Sequence, residues 1–332
     1  MILARNESCD ESFKFNVRAY GVKLDIAEQI SKINMWAPLN FSGQIDLKNP
    51  LKTFLISEDY GAEQVALRTC NPPPIRVYFS LFLGRGGRDA IALYDLKKRV
   101  YIGTTSMDSE LSLISANMAH AAASRLVLDP FVGTGSFMVA AAHFGASVIG
   151  SDIDGRQIRG KKGGVELNMD QYGFQAQMLG NVICDLAHHG WKSIPLFDAI
   201  ICDPPYGVRA GAKTIANGTP AFTTKKDGSA RYPETRPYEL TELIPDLIEF
   251  SIRHLVMGGR LAFWLPTTSA YSRTDISHPC MKIIADPEQA FSKWSRRLIT
   301  MEKIADAGDA KFARAAQTGH GNFKEAYWKP ST

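Results

Sequence analysis

Residues 126–136 have the sequence LVLDPFVGTGS, an apolar run followed by a glycine-rich turn and a small polar residue. This order predicts a buried strand, a tight turn and the start of a helix. Gly133 and Gly135 allow the backbone to approach a ligand closely, and we predict that Ser136 caps a helix continuing through residues 137–142. The third glycine of the dinucleotide fingerprint is missing, so this unit alone does not identify its ligand.

Three further apolar runs also lead into an aspartate. Asp152 ends SVIGSD at residues 147–152, Asp185 follows GNVIC at residues 180–184, and Asp203 follows FDAIIC at residues 197–202. Successive units of this kind predict a parallel, doubly wound sheet that binds ligands at the carboxyl ends of its strands. We therefore expect these acids and Asp129 to share one edge of the sheet. In such a fold Asp152 would meet a ribose diol and Asp185 an adenine.

The last of these aspartates begins the tetrapeptide Asp203-Pro204-Pro205-Tyr206. Prolines fix φ and remove backbone donors, which predicts a stiff loop whose carbonyl oxygens are free to accept hydrogen bonds. The Asp203 carboxylate and the Pro204 carbonyl could both accept from a flat amino group while Tyr206 stacks on the attached ring. This arrangement suits an exocyclic amine that acts as a nucleophile. A plain turn after a strand is the alternative interpretation of Pro-Pro.

The motifs together resemble a known enzyme family. DPFVGTGS, SDID and DPPYG resemble class I S-adenosylmethionine-dependent methyltransferases that act on amino nitrogens. Further motifs narrow the resemblance to the catalytic subunit of the eukaryotic tRNA (guanine-10-N2)-methyltransferases, and the likeness runs from about residue 13 to residue 327. These motifs are DLKKR at 95–99, YIGTTSMD at 101–108, ELS at 110–112, HPC at 278–280, SRRLITMEK at 295–303 and GHGNF at 319–323.

The resemblance implies an α/β fold, namely a Rossmann-like class I methyltransferase sheet with a partial N-terminal THUMP-like α+β RNA-binding region. It implies S-adenosylmethionine as cofactor, tRNA as substrate and a small zinc-binding activator subunit as partner. Asp203, Pro204 and Tyr206 are the implied catalytic residues, with no metal ligand. The implied cofactor-binding residues are Asp129, Phe131, Gly133 and Gly135 at the methionine part, Asp152 at the ribose, Asp185 at the adenine, and Thr105 and Ser106 as further contacts.

The expected domains are a THUMP-like region at 1–94, a linker with a cofactor-covering helix at 95–120, and the methyltransferase domain at 121–332. Compared with the family, an N-terminal ferredoxin-like part is expected to be missing or much reduced, which would affect tRNA docking more than the catalytic site. In the catalytic domain we predict a helix at 240–257 that stops at Gly258-Gly259. Its predicted strands are 126–129, 147–152, 176–180, 197–203, 260–265, 281–285 and 297–303.

Two basic stretches are predicted to contact RNA phosphates. Lys97, Lys98 and Arg99 lie in the linker, although a solvated charge run is an equally good interpretation. The polar insertion at 208–237 follows the DPPY loop directly, and loops of this length are usually functional or disordered. We interpret it as a substrate-facing lid in which Arg209 and Lys213 contact RNA.

The composition fits an RNA enzyme without proving it. A formal net charge of +4 is too small to demonstrate nucleic-acid binding, so any RNA contact must come from local clusters. The five cysteines have no Cys-x-x-Cys spacing, which disfavours a zinc site or a disulfide framework and predicts a reducing, cytoplasmic location. The sequence contains no apolar run of about eighteen residues, so it predicts no membrane span.

Three alternative functions remain open from the sequence. The same amine clamp would serve adenine N6 in a nucleic acid or a glutamine amide in a protein. A non-catalytic RNA-binding subunit would predict eroded acids or glycines, and the motifs are intact. A dehydrogenase is disfavoured by the missing third glycine and by the DPPY loop.

Overall fold

The structure, a computed structural model, describes residues 10–39, 41–61, 73–160, 163–207, 211–216, 223–224, 230–231, 233–291 and 294–306. The chain divides into two compact units, Met1–Gly87 and Arg88–Thr332. Each unit has its own sheet.

The first unit is a small α+β domain built on a three-stranded sheet. Its elements are β1 (Phe13–Tyr20), α1 (Ile26–Asn34), β2 (Lys52–Asp59) and β3 (Arg76–Leu81). β2 lies in the centre, parallel to β1 and antiparallel to β3. The helix α1 begins at a capping box, in which Asp25 and Glu28 each accept a hydrogen bond from the other's backbone N–H. Stacked aromatic rings fill the space beside the sheet, with Phe54 and Phe79 5.5 Å apart.

The second unit is built around one mixed sheet. The spatial order of its main path is β13-β15-β12-β7-β4-β5-β6, and β14 pairs with β15. Five neighbouring strands, β12, β7, β4, β5 and β6, run parallel, whereas β15 is antiparallel to β12. The strands are β4 (Leu126–Asp129), β5 (Ser147–Asp152), β6 (Met178–Ile183), β7 (Phe197–Cys202), β8 (Lys213–Ile215), β9 (Thr223–Thr224), β10 (Ala230–Arg231), β11 (Thr235–Pro237), β12 (Leu255–Thr267), β13 (Met281–Ala285), β14 (Glu288–Ala290) and β15 (Ser295–Lys303).

Helices cover both faces of this sheet. Alternate residues of a strand point to opposite faces, so Ile200 and Ile201 of β7 belong to two different hydrophobic clusters. One cluster includes α3 and α4, and the other includes α7. The helices are α2 (Asp89–Leu93), α3 (Ser109–Met118), α4 (Ser136–His143), α5 (Gly155–Arg159), α6 (Gly164–Gln171) and α7 (Leu240–His254). The doubly wound sheet predicted from the sequence is thereby confirmed.

The predicted strands at 126–129, 147–152 and 281–285 coincide with β4, β5 and β13, whereas β6 begins two residues later than predicted. The predicted end of the long helix is wrong. α7 ends at His254 and the chain enters β12 at once, so Gly258 lies in an irregular part of the strand with φ +76°. The register against β7 shifts between Leu255 and Arg260, and a residue with positive φ suits such a bulge.

The predicted cap at Ser136 is also corrected. Gly135, with φ +82°, occupies the N-cap position, and Ser136 is the first helical residue. The helix that precedes the sheet starts at Ser109, where Asp108 accepts hydrogen bonds from two backbone N–H groups of the first turn. Within the described part of the chain, no helix combines the length and apolar character needed to cross a membrane.

Candidate active site

Three aspartates meet at the carboxyl edge of the central strands. Asp129 ends β4 opposite Gly150 of β5, Asp152 ends β5, and Asp203 follows β7 directly. Burial raises the pKa of Asp129 most, and the negative charges of the neighbouring Asp152 and Asp203 raise it further. Parallel neighbouring strands bring their last residues to the same edge, so this grouping follows from the fold.

Asp129 is the most deeply buried of these acids, with 2% of its surface exposed. Its Oδ1 accepts a hydrogen bond from the Phe131 backbone N–H at 3.0 Å, while its Oδ2 is buried and has no partner among the described residues. Burial is the main cause that raises the pKa of Asp129 well above its usual range. An unpaired buried oxygen is costly, so this atom is suited to accept from a ligand.

The glycine-rich turn is fastened to the second acid. Asp152 accepts from the Gly133 backbone N–H through Oδ2 at 3.0 Å and from the Asp154 N–H through Oδ1 at 2.8 Å. Burial raises the pKa of Asp152, and these two hydrogen bonds oppose the rise. At Gly135 a Cβ would stand 2.6 Å from Cγ1 of Val165, so only glycine fits the turn against α6. The turn is therefore held by one acid and by close packing.

Asp203 carries a second unpaired oxygen. Its Oδ1 is buried without a partner among the described residues, and burial raises its pKa to about 7, while the positive charge of Arg296 lowers it. Pro204 beside it is buried and Tyr206 is half-buried. The Tyr206 ring lies 6.3 Å from that of Trp294. A flat donor group would satisfy this carboxylate, and an aromatic ring attached to it would find aromatic neighbours.

The segment before α3 is brought to the glycine-rich turn. Ser106 Oγ accepts from the Gly103 N–H at 2.9 Å and shares a hydrogen bond with Thr134 Oγ1 at 2.7 Å. Asn168 of α6 is fully buried and donates through Nδ2 to the Thr134 carbonyl at 2.9 Å. Thr105 is exposed. Sequence reasoning placed Ser106 near this turn but missed Asn168, because a lone asparagine in an amphipathic helix carries no signal.

The Asn168 side chain also holds the other end of this segment. Its Oδ1 accepts from the Tyr101 N–H at 3.0 Å, and its Nδ2 donates to the Tyr101 carbonyl at 2.7 Å. One buried side chain therefore binds both the segment at 101–106 and the glycine-rich turn. The two hydrogen bonds from Asn168 to the Tyr101 backbone satisfy both its N–H and its carbonyl, as a neighbouring strand would. They hold this segment in place over the edge of the sheet.

Asp185 is occupied by protein donors. Its Oδ2 accepts from Thr214 Oγ1 at 2.7 Å and from the Ile215 N–H at 2.8 Å, and it lies 2.9 Å from His188 Nδ1. Its Oδ1 accepts from the Ala187 N–H at 3.2 Å. In the structure this carboxylate therefore anchors β8 to the loop after β6, and any contact with an adenine would use the remaining capacity of Oδ1.

The basic residues expected at RNA differ in exposure. Lys97, Lys98 and Lys213 are exposed. Arg99 is instead 6% exposed and donates to Ser136 Oγ at 2.7 Å and to the Tyr94 carbonyl at 3.5 Å. The prediction that Arg99 contacts a surface phosphate is therefore corrected, because its guanidinium is used inside the fold. Arg209 lies outside the described residues.

Among the described residues, no group of three His, Cys, Asp or Glu side chains could hold a metal ion. The carboxylates at the sheet edge are bonded to protein donors, as in Asp152 and Asp185, or keep a buried oxygen without a partner among the described residues, as in Asp129 and Asp203. This arrangement suits hydrogen-bond donors of a nucleoside-like ligand.

Two family models match the chain. One is described as the Tmrp11 THUMP N-terminal domain and matches residues 4–88. The other is described as the RMKL-like methyltransferase domain and matches residues 97–218. The second match spans the glycine-rich turn and all four strand-end acids, including Asp203 of the DPPY loop.

Curated relatives match nearly the whole chain. The tRNA (guanine(10)-N(2))-methyltransferase of Schizosaccharomyces pombe is 40% identical over 330 residues, which are 96% of this chain and 68% of the relative. The protein of the same name from Saccharomyces cerevisiae is 37% identical over 96% of this chain and 76% of its own length. The tRNA (guanine(10)-N(2))-methyltransferase TRMT11 of Homo sapiens is 35% identical over 97% of this chain and 75% of its own length.

Proposed function

The chain belongs to the tRNA (guanine(10)-N(2))-methyltransferase family, and we infer that it transfers a methyl group from S-adenosylmethionine to the exocyclic N2 of guanosine 10 in tRNA. The observation that carries the chemistry is the buried Asp203 Oδ1, which lacks a hydrogen-bond partner among the described residues and lies beside the acids of the glycine-rich turn. An amino group of a base supplies the donor that this atom needs.

The residues at the sheet edge fit the cofactor. S-adenosylmethionine, when bound, supplies a methyl group activated by its positively charged sulfur. Asp152 and the backbone at Gly133 and Gly135 would hold its ribose and methionine parts, together with Asp129 and Phe131. Ser106 and Thr105 would contribute from the segment over the turn, and Asp185 would meet the adenine through its free acceptor capacity.

Asp203 would orient the amino group of the base. Its carboxylate accepts a hydrogen bond from N2 and stabilises the positive charge that grows on this nitrogen during transfer. The Pro204 carbonyl accepts the second N–H, and Tyr206 stacks on the base. A strong base is not required beforehand, because N2 loses its proton readily once methylated. Much of the catalysis therefore comes from positioning.

The target guanosine must leave its stem to reach this edge. Unstacking a base costs on the order of a few kcal/mol, which contacts elsewhere on the tRNA must offset. We assign phosphate contacts to the exposed Lys97, Lys98 and Lys213. Contact by Arg209 stays a prediction. The match of residues 4–88 to a THUMP N-terminal domain, together with the division of the chain after Gly87, supports a separate RNA-binding function for the first unit.

A small zinc-binding activator subunit is the protein partner that we propose. Among the residues that the structure describes, β6 is an edge strand whose only neighbour in the sheet is β5. It exposes 60% of Leu179, 43% of Val182 and 54% of Ile183, which together we call the β6 edge. An apolar edge strand is a ready site for a partner and a liability without one. We also propose a cytoplasmic location, where the tRNA substrate and a reducing environment are both found.

The test is methyl transfer from labelled S-adenosylmethionine to unmodified tRNA, followed by mapping of the product nucleoside. It is run with and without the activator subunit. Labelled N2-methylguanosine at position 10 is the expected product. A matched tRNA with inosine at position 10, which lacks only the exocyclic amine, should accept no methyl group there. Methylation of the inosine tRNA at the same level would refute the assigned acceptor atom.

A further inference from the structure

Arg296 of β15 is held in one orientation beside the candidate active site. Its guanidinium carbon lies 4.6 Å from the centre of the Trp264 ring and 5.8 Å from that of Phe291. Its Nε donates to Gln289 Oε1 at 2.7 Å, and its Nη1 lies 3.9 Å from the Met107 sulfur. These neighbours are uncharged, so aromatic faces and one amide hold a cation in a fixed place.

The sheet topology explains how this residue reaches the site. β15 is antiparallel to β12, so the beginning of β15 lies at the edge where the parallel strands end. Arg296 pairs with Pro266, three residues beyond Phe263, which itself pairs with Cys202 of β7. Asp203 is the next residue after Cys202. The first residues of β15 therefore lie at the carboxyl edge of the sheet. The parallel strands reach this edge only with their last residues.

The charges around Asp203 are unequal. Arg296 is the cation whose charge lowers the pKa of Asp203, against burial, which raises it. Burial raises the pKa of Asp129 and of the Cys202 thiol next to Asp203. The negative charge of Asp203 raises both further, and the charge of Asp129 adds to the rise at Cys202. Among the described residues no carboxylate lies within ion-pair distance of Arg296, so its charge is not already neutralised by a salt bridge.

We propose that Arg296 is a positioning residue for Asp203: clamped between Trp264 and Phe291, it supplies the positive charge that keeps the Asp203 carboxylate ionised where the amino group of the target base would bind. This role rests on the proposed function of Asp203. It also explains the aromatic clamp, because a fixed cation at the pocket acts continuously, whereas a flexible one would move to solvent.

The neighbouring Arg297 provides a matched control. It lies on the opposite face of β15, where its Nη2 forms a 2.6 Å ion pair with Glu288 and its Nη1 donates to the Asp286 carbonyl. Its guanidinium also lies 4.8 Å from the Tyr271 ring. Both arginines thus belong to the same strand and have an aromatic neighbour, but of the two only Arg296 lowers the pKa of Asp203.

The experiment is the pH dependence of kcat/KM for methyl transfer to unmodified tRNA between pH 5.5 and 8.5, with the full chain. Activity of the wild-type protein should fall as the pH drops through the pKa of Asp203, about 7. Arg296→Gln should raise this midpoint by about 1 pH unit, because a nearby opposite charge has been removed. Its kcat/KM should then be roughly tenfold below wild type at pH 6 and approach wild type at pH 8.5.

Two further variants complete the test. Arg296→Lys keeps a charge and should recover most of the wild-type profile, and Arg297→Gln should leave the midpoint in place. Thermal unfolding and S-adenosylmethionine binding of each variant verify that the fold is kept. An Arg296→Gln profile with an unshifted midpoint, whether at full or at uniformly reduced activity, would overturn the proposal. A wild-type protein that makes no N2-methylguanosine would instead refute the proposed function itself.

Discussion

At the scale of single residues, the site consists of carboxylates with different partners. Asp152 bonds to two backbone N–H groups, whereas Asp129 and Asp203 each keep a buried oxygen without a partner among the described residues. A buried oxygen in this condition costs stability unless a ligand satisfies it. Asp152 therefore shapes the loop, whereas Asp129 and Asp203 are available to accept hydrogen bonds from a ligand.

Asp203→Asn should stop catalysis while cofactor binding is kept. The amide cannot stabilise positive charge on N2, so kcat should fall by about 10²–10³-fold. Because the folded protein holds the pKa of Asp203 near 7, above the value of a free carboxyl, ionisation opposes folding as the pH rises. The variant should therefore melt at a higher temperature than wild type above pH 7. Turnover and calorimetric cofactor titration measure the two effects.

Asp198→Asn is the control for this variant. Asp198 lies near the start of the same strand, where its Oδ2 accepts from the Leu126 N–H at 2.8 Å, and an asparagine oxygen can still accept there. Its turnover should stay close to wild type. Loss of cofactor binding in Asp203→Asn would contradict the role assigned to Asp203.

Asp152→Asn should weaken cofactor binding. It loses the charge that would strengthen hydrogen bonds from a ribose diol, which are worth about 1.5–3 kcal/mol when the acceptor is charged. Its amide NH2 also replaces one of the two oxygens that accept from the Gly133 and Asp154 N–H groups. The dissociation constant of S-adenosylmethionine should thus rise by about 10–100-fold. Asp154→Asn serves for comparison, because Asp154 caps α5 and bonds to Arg156. An equal loss of affinity in both variants would contradict a specific contact by Asp152.

At the scale of elements, β8 is tied to the main sheet through one carboxylate. Thr214 is fully buried, and its hydroxyl and the Ile215 N–H both donate to Asp185 Oδ2. β8 pairs with β11, so Asp185 positions this two-stranded ribbon beside the loop that follows β6. Because the ribbon belongs to the insertion after the DPPY loop, a change at Asp185 is expected to reach the substrate side as well as the cofactor side.

Thr214→Val should loosen this ribbon. It removes a hydrogen bond to a buried carboxylate at nearly constant volume, at a cost of about 1–3 kcal/mol. Hydrogen exchange of the Ile215 amide, which donates to the same oxygen, should become roughly tenfold faster for each 1.4 kcal/mol of local stability lost.

The control is Thr300→Val in β15. The Thr300 hydroxyl is buried and has no hydrogen-bond partner among the described residues, so its removal should cost nothing and leave the exchange of Ile215 unchanged. Unchanged exchange in Thr214→Val would show that the Ile215 N–H and His188 alone keep the ribbon attached.

At the scale of the whole molecule, the second unit carries the complete sheet edge with its acids, and its other features concern partners. The parallel core ends on one side at β6, beyond which the described part of the chain places no further strand. Helices bury both faces of the sheet, but they leave the β6 edge exposed. An exposed apolar edge strand of this kind favours aggregation unless another chain covers it.

Leu179→Lys combined with Val182→Lys should abolish assembly with the activator subunit. Burying two apolar side chains contributes about 1.5–3 kcal/mol each, so affinity should fall by about 100-fold or more. Co-purification of the co-expressed subunits and methyl transfer to tRNA measure the result. Met257→Lys, at a residue 55% exposed in β12, is the control and should assemble normally. Undiminished assembly of the double variant would place the partner elsewhere.

The sequence by itself determined the order of the strands along the chain and the acids at their ends. Apolar runs and turn residues are local signals, so the sequence alone predicts that LVLDPFVGTGS and DPPY lie at the strand ends of a doubly wound sheet. The C-terminal end of α7 and the N-cap of α4 differ from the prediction because Gly258 belongs to a bulge and Gly135 to a tight turn. Tertiary packing against neighbouring strands and against Val165 decides both.

Only the tertiary structure decided which polar groups are satisfied. Arg99 was predicted at the surface from its basic neighbours, yet it is buried against Ser136, 37 residues away. Arg296 lies in the SRRLITMEK motif, but neither it nor Asn168 has a local signal that assigns it to the site. They reach the site because an antiparallel strand and a helix return to the same edge. Hydrogen-bond partners and burial depend on residues far apart in the chain, so they arise only when the whole sheet has formed.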